Sequence, residues 1–228
     1  MPAKNQDLHG NAPDEAAVAL IIIDVINDLE FPGGDRLLRH ALPMADHLAA
    51  LKRRAKAAGI PVIYANDNFG RWKSDFRRML ERCLQGGTRG RPLAERLAPD
   101  EDDYFVLKPK HSAFFATTLH VLLRYLGVRT VILTGLTGNS CVLFTAADAF
   151  MRDFHLLVPA DCVASIDVND NRRALERMRK TLGADVRLSR SIALKRLAAG
   201  TPPRASRSQP SRGGVSPRRR PAAGGRGR

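Results

Sequence analysis

Cysteines and long apolar runs are both scarce in this sequence of 228 residues. The only long apolar run, Ala16 to Ile23, is much shorter than the roughly 20 residues that a membrane-spanning helix needs. The polar residues before this run lack the apolar core of a signal peptide. Three cysteines cannot all pair, so no disulfide framework is indicated. These absences predict a protein of the reducing cytoplasm that does not interact with membranes.

Acidic residues are absent from the segment Thr201 to Arg228, which holds eight arginines. The formal net charge of the whole chain is +14, so more than half of it belongs to this segment. A segment of Pro, Arg, Ser and Gly buries too little apolar surface to offset its ordering entropy, which predicts a disordered tail over 200–228. Two interpretations stay open: a solubilising extension, and a salt-sensitive contact with nucleic acid or another polyanion. The tail has no aromatic side chains that bases could stack on.

The rest of the chain alternates short apolar runs with helical patterns, which is typical of an α/β fold. The predicted strands are Ala17–Asp24, Pro61–Ala65, Tyr104–Leu107, Val131–Thr134, His155–Pro159 and a weak sixth strand, Val186–Leu188. The predicted helices are Asp35 to near Gly59, Ser74–Leu84, Ala113–Leu126, Asn169–Leu182 and Ile192–Leu197, with one more that begins near Cys141. We therefore predict one domain over 16–199, with a mainly parallel six-stranded sheet flanked by helices, after a flexible segment over 1–15.

Cys141 lies where a buried strand passes through a turn of small residues into a helix. Ser140 or Asn139 is a suitable N-cap, so Cys141 is expected in the first helical turn. There the helix dipole and backbone N–H groups would lower the pKa of the thiol and favour the reactive thiolate. The alternative is a small buried apolar cysteine without chemistry. This stretch alone does not separate the two interpretations.

Three strands end at or close to reactive side chains: Asp24 after the first, Lys108 after the third and Cys141 just beyond the fourth. Because the carboxyl ends of parallel strands meet at one edge of a sheet, these residues are expected to converge. A carboxylate beside a thiol can take its proton and later deliver it to a leaving group. An ammonium group beside the same thiol favours thiolate. The trio predicts a cysteine nucleophile with an acid/base partner.

Three motifs make the chain resemble the isochorismatase-like cysteine hydrolases, which include nicotinamidases and N-carbamoylsarcosine amidohydrolase. They are LIIIDVINDL around Asp24, LKPKHSAFFATTL around Lys108 and TGLTGNSCVLFTAADA around Cys141. The resemblance implies a Rossmann-like three-layer sandwich and an Asp24–Lys108–Cys141 catalytic triad. It also implies a cis peptide bond between Leu136 and Thr137, with the amides of Thr137 and Cys141 as an oxyanion hole.

The activity that the resemblance implies is hydrolysis of a small molecule through a thioester on Cys141, without a cofactor. Some relatives hydrolyse vinyl ethers without the cysteine, so Cys141 favours an amide, ureido or carbamoyl C–N bond over isochorismate. The resemblance also implies a homo-oligomer. The alternative is a non-catalytic binding protein on the same scaffold, whose basic tail engages nucleic acid or another polyanion.

One motif departs from the nicotinamidases, which hold a metal with Asp-x-His after the second strand. Here the corresponding residues are Asp67, Asn68 and Phe69, so no metal site is predicted. Together with Trp72, these residues either line the substrate pocket or form a rigid loop that caps the next helix. His111 is expected at the pocket rim or at a helix start rather than in a Cys–His pair, because Lys108 occupies the strand end.

Overall fold

A single sheet of six strands forms the centre of the computed structural model, which describes residues 15–67, 75–85 and 87–200. The strands are β1 (Val18–Ile23), β2 (Val62–Asp67), β3 (Tyr104–Lys108), β4 (Thr130–Leu136), β5 (His155–Leu157) and β6 (Val163–Ala164). Their order is β3-β2-β1-β4-β5, and β6 pairs with the end of β4. Every pairing is parallel, as the alternation of strands and helices predicts.

The central strand β1 has the sequence VALIII, and all six of its residues are buried. An uninterrupted apolar run of this kind is typical of a strand covered on both faces. In its register, Ile23 lies beside Ala65 of β2 and Gly135 of β4. Asp67 of β2 lies beside Lys108 of β3. The residues that end β1, β2, β3 and β4 therefore share one edge of the sheet.

Helices cover both faces of the sheet and form two separate apolar cores. The helices are α1 (Gly34–Lys56), α2 (Phe76–Leu84), α3 (Arg91–Arg96), α4 (Leu119–Tyr125), α5 (Leu143–Phe150), α6 (Val168–Thr181) and α7 (Leu194–Ala198). Leu20 and Ile22 of β1 pack on the side of α1, α2, α3 and α7. Ile21 and Ile23 pack on the side of α4, α5 and α6. The three-layer α/β architecture with a parallel six-stranded sheet is thus confirmed.

The sixth strand differs from its prediction. Val186–Leu188 is not a strand, and the sixth strand is β6, which pairs with Gly135 and Leu136. A strand of two residues is too short to display a periodicity of two, so its sequence carries no signal. Just before the predicted position, an isolated bridge joins Leu157 and Asp185.

Two helices also differ from their predictions. Helix α3 occupies Arg91–Arg96, a segment that the sequence assigned to no element. The helix predicted over Ala113–Leu126 begins only at Leu119. Local hydrogen bonds compete with the helix before that point: the Ser112 hydroxyl accepts from the Phe114 amide, and the Thr117 hydroxyl accepts from the Leu119 amide.

The two predicted terminal segments lie almost entirely outside the described residues, so their boundaries and the role of the basic tail stay predictions. Among the helices that the structure describes, none has the length and apolar character required to cross a membrane.

Candidate active site

Asp24 follows β1 directly and is only 6% exposed. Its backbone has a φ of +52°, which turns the chain at the end of the strand. One carboxylate oxygen accepts a hydrogen bond of 2.7 Å from the backbone amide of Asp67. The other lies 2.8 Å from Nζ of Lys108. The carboxylate is therefore held between the ends of β2 and β3.

Lys108 is the last residue of β3, and its side chain is fully buried. Besides Asp24, its Nζ lies 3.5 Å from Sγ of Cys141 and 3.7 Å from a carboxylate oxygen of Asp67. It also donates a hydrogen bond of 3.2 Å to the carbonyl of Lys110. A buried ammonium group needs partners of this kind, because burial without them is costly. The structure thus brings the three predicted residues Asp24, Lys108 and Cys141 into contact.

Cys141 lies in a turn of π-helix, Gly138–Val142, that leads directly into α5. The carbonyl of Thr137 accepts hydrogen bonds from the amides of both Ser140 and Val142, which closes the turn. The helical structure begins at Gly138, so the prediction of an N-cap at Asn139 or Ser140 is wrong by two to three residues. Turns of this type occur frequently at functional sites. Cys141 is half-buried.

The pKa of the Cys141 thiol is raised to about 12, whereas the sequence predicted a lowered pKa. The largest cause is burial, followed by the negative charge of Asp24, and the positive charge of Lys108 opposes both only in part. The charges of Asp24 and Lys108 therefore shift the pKa of the thiol in opposite directions, and the sequence-based prediction included only the lowering effect of Lys108. At neutral pH the thiol keeps its proton, with the Asp24 carboxylate as its hydrogen-bond acceptor.

The ionisation of the other two groups follows from the same contacts. Burial raises the pKa of Asp24, although the charge and hydrogen bond of Lys108 oppose this shift. Burial works against the ammonium form of Lys108, but its neighbours, above all the negative charge of Asp24, outweigh the effect of burial, so the pKa of Lys108 is raised. The site is built around a buried ion pair beside a neutral thiol.

The peptide bond between Leu136 and Thr137 is cis, at the position that the family resemblance implied. Just before it, Gly135 has a φ of +106°, and a Cβ there would lie 2.1 Å from the carbonyl oxygen of Ile23. Only glycine permits this close approach between β4 and the end of β1. The backbone that follows carries the Thr137 and Cys141 amides, whose role as an oxyanion hole stays a prediction.

His111 also lies close to the thiol, with its Nδ1 3.7 Å from Sγ of Cys141. The His111 side chain is exposed and its ring stacks on Phe144, with the ring centroids 5.5 Å apart. His111 is thus at the rim of the site, while the groups that contact the thiol from within are Asp24 and Lys108. Phe144 was not predicted, although its position three residues after Cys141 on a helix was a usable signal.

Of the other predicted pocket residues, Asp67 belongs to the site through its amide and its carboxylate. Asn68, Phe69 and Trp72 lie outside the described residues. Within the described residues, one group of side chains is spaced to share a metal ion: Asp100, Asp102 and Asp103. It lies before β3, at the opposite end of that strand from Lys108, and forms ion pairs with Lys52 and Lys56.

Comparison with known proteins identifies relatives along most of the chain. Residues 18–190 match the isochorismatase domain. The chain is 41% identical over 178 residues to YaaI of Bacillus subtilis, an uncharacterized isochorismatase family protein, covering 78% of this chain and 97% of YaaI. It is 31% identical over 186 residues to the ureidoacrylate amidohydrolase RutB of Methylobacterium radiotolerans, covering 71% of each chain.

Among solved structures, the chain is similar to N-carbamoylsarcosine amidase from Thermoplasma acidophilum. The TM-score is 0.58 at 27% sequence identity, over 77% of this chain and 98% of that structure. The similarity therefore extends over nearly the whole of that fold and includes the region that contains the site.

Proposed function

Because the chain belongs to the isochorismatase family, we propose that it is a cysteine hydrolase that cleaves the C–N bond of a small amide, ureido or carbamoyl compound. The observation that carries this proposal is the contact of a carboxylate, an ammonium and a thiol at one sheet edge. Nζ of Lys108 lies 2.8 Å from Asp24 and 3.5 Å from Cys141. The names of two relatives, ureidoacrylate amidohydrolase and N-carbamoylsarcosine amidase, support a C–N bond as the target.

The first step is transfer of the thiol proton of Cys141 to the carboxylate of Asp24, as Sγ attacks the substrate carbonyl. Since the raised pKa keeps the free thiol protonated, this transfer accompanies the attack and needs a carboxylate already hydrogen-bonded to the thiol. The ammonium of Lys108 stays in contact with both groups and compensates the negative charge as it moves from Asp24 to sulfur.

The attack makes the carbonyl oxygen an oxyanion, and we assign the amides of Thr137 and Cys141 as its donors. Loss of one such donor typically costs about 2.7–4 kcal/mol in the transition state. Both amides are in the hydrogen-bonded turn between β4 and α5, which favours donors that are oriented before the substrate arrives.

Collapse of the tetrahedral intermediate breaks the C–N bond. Asp24 returns the proton to the departing nitrogen, which leaves as an amine or ammonia, and the acyl group stays on Cys141 as a thioester. Asp24, again a carboxylate, then takes a proton from water, whose oxygen attacks the thioester. The acid product leaves and Asp24 returns the proton to sulfur. No step of this scheme calls on a metal or a cofactor.

Substrate contacts outside the reacting atoms are assigned to the rim. The His111 ring, supported by Phe144, presents its edge to the substrate side of the thiol. The carboxylate of Asp67 lies near Lys108 at the inner end. These groups suit a small polar substrate with an apolar portion against the aromatic rings.

A substrate screen tests the proposal. Small amides, ureido acids and carbamoyl compounds are incubated with the protein, and ammonia release is measured. We expect turnover of at least one compound and its loss in Cys141→Ala. The matched control is Cys83→Ala, which removes a buried thiol on α2, remote from the triad. Turnover that persists in Cys141→Ala would contradict the thioester mechanism.

A further inference from the structure

The turn that carries Cys141 is held by two side chains outside the triad, Ser165 and Asn171. We propose that they are positioning residues, which fix the direction of the amides that bind the oxyanion. This inference rests on the proposed function, because those amides have a role only if a carbonyl is attacked at Cys141.

The hydrogen bonds of these two side chains form a chain that ends on the nucleophile turn. Ser165, which follows β6 and is 1% exposed, accepts a bond of 3.3 Å from the Asn139 amide. Its hydroxyl donates a bond of 3.0 Å to Oδ1 of Asn171. Nδ2 of Asn171 donates a bond of 3.1 Å to the carbonyl of Val163. The turn is thereby tied to both β6 and the first turns of α6.

Close packing at Gly138 reinforces this connection. A Cβ at Gly138 would lie 2.1 Å from Oδ1 of Asn171 and 2.7 Å from Cγ1 of Val163. The backbone of the turn therefore rests directly on the Asn171 amide group. Loss of that group removes both a hydrogen-bond partner and the surface against which Gly138 packs.

The position of these contacts along the chain gives them their importance. Gly138 and Asn139 lie between Thr137 and Cys141, the residues whose amides are assigned to the oxyanion. A rotation of the backbone at Gly138 or Asn139 would change the direction of both amides. Strand β6 also pairs with Gly135 and Leu136, just before Thr137. Strand β6 and Ser165, which follows it, therefore hold the backbone both before Thr137 and at Asn139.

A positioning role and a merely structural role differ in which reaction of Cys141 they affect. With p-nitrophenyl acetate, the Sγ–acetyl bond forms, p-nitrophenolate leaves with the ester's bonding pair and the thiol proton passes to Asp24. That reaction passes through an oxyanion. With iodoacetamide, the Cys141 proton is first lost to solvent, the thiolate sulfur then displaces iodide from a saturated carbon, and no oxyanion forms at the carbonyl. Misdirected amides therefore slow the first reaction and leave the second unchanged.

The experiment compares wild type with Ser165→Ala and Asn171→Ala, following p-nitrophenolate release and the mass of the acetylated and carbamidomethylated Cys141 peptide. The matched control is Asn169→Ala, which truncates an exposed side chain on the same helix that accepts a hydrogen bond from Arg172. We expect acylation to fall by about 10- to 100-fold in the two variants, with alkylation within about twofold of wild type. The control should match wild type in both reactions.

Two outcomes would overturn the inference while the proposed function stands: acylation unchanged in both variants, or acylation and alkylation that fall together. Absence of Cys141-dependent acylation in the wild type would instead overturn the proposed function, and the positioning role with it. Because Ser165 follows β6 and Asn171 is on α6, either variant keeps the test decisive if the other fails to fold.

Discussion

Replacement of Lys108 by methionine is the most informative perturbation of the site. The two side chains have similar length, so the substitution removes the charge and leaves most of the packing. The Asp24 carboxylate then loses its 2.8 Å partner while it stays 6% exposed. Breaking a buried pair by removal of one partner costs about 3–5 kcal/mol. We expect a loss of unfolding free energy of this size at pH 7.

The pH dependence of that loss has a definite sign. Burial already raises the pKa of Asp24 against the opposing effect of Lys108, so removal of Lys108 raises it further. A carboxyl group with a raised pKa in the folded state loses stability as pH rises from its unfolded pKa of about 3.9 through its folded pKa. The deficit of Lys108→Met relative to wild type should therefore be smaller near pH 4 than near pH 8, as measured by urea unfolding.

Reactivity should change together with stability. A higher pKa leaves less of Asp24 as the carboxylate that accepts the thiol proton, so acylation of Cys141 by p-nitrophenyl acetate should be slower in Lys108→Met and its pH profile should move to higher pH. The matched control is Lys52→Met, which removes another buried lysine, paired with Asp103 at 2.6 Å before β3. That variant should also be destabilised, but with an unchanged pH profile of acylation. If Lys108→Met is acylated at the same rate and with the same pH profile as wild type, the role assigned to Lys108 in the triad is refuted.

Two further predictions follow from the geometry of the turn and the thiol. Gly135→Ala should lower the free energy of unfolding by about 3 kcal/mol or more, as measured by thermal unfolding, because its Cβ would lie 2.1 Å from the Ile23 carbonyl oxygen. The control is Gly127→Ala, where φ is also positive but a Cβ would have nothing within 4 Å, and its loss should be about 1 kcal/mol. Alkylation of Cys141 by iodoacetamide should rise about tenfold per pH unit from pH 7 to 9, since its pKa is about 12; a plateau in this range would contradict the raised pKa.

The homo-oligomer, the cytoplasmic location and any contact of the tail with nucleic acid stay predictions. The metal-free pocket over Asn68, Phe69 and Trp72 has the same standing, because those residues lie outside the described part of the chain. The family and the fold class are confirmed by residues 18–190 and by the parallel sheet.

The amino-acid sequence was sufficient for the features that depend on short-range patterns. Uninterrupted apolar runs identified β1 and β4, and parallel pairing then required Asp24, Lys108 and the residues after β4 to meet at one edge. The three motifs around these residues, taken together in their order and spacing, were enough to indicate the family. These inferences hold because strand direction and register leave little freedom once the sheet forms.

The features that needed the folded chain depend on distances between segments that are far apart in sequence. The pKa of Cys141 is set by the balance of burial, Asp24 and Lys108, which depends on how closely the folded chain brings these groups together. Strand β6 and the hydrogen bonds that join the Cys141 turn to Ser165, and Ser165 to Asn171, carry no periodic signal, because each involves only one or two residues. Packing of α6 against that turn brings them together, and periodicity along the chain does not encode such packing.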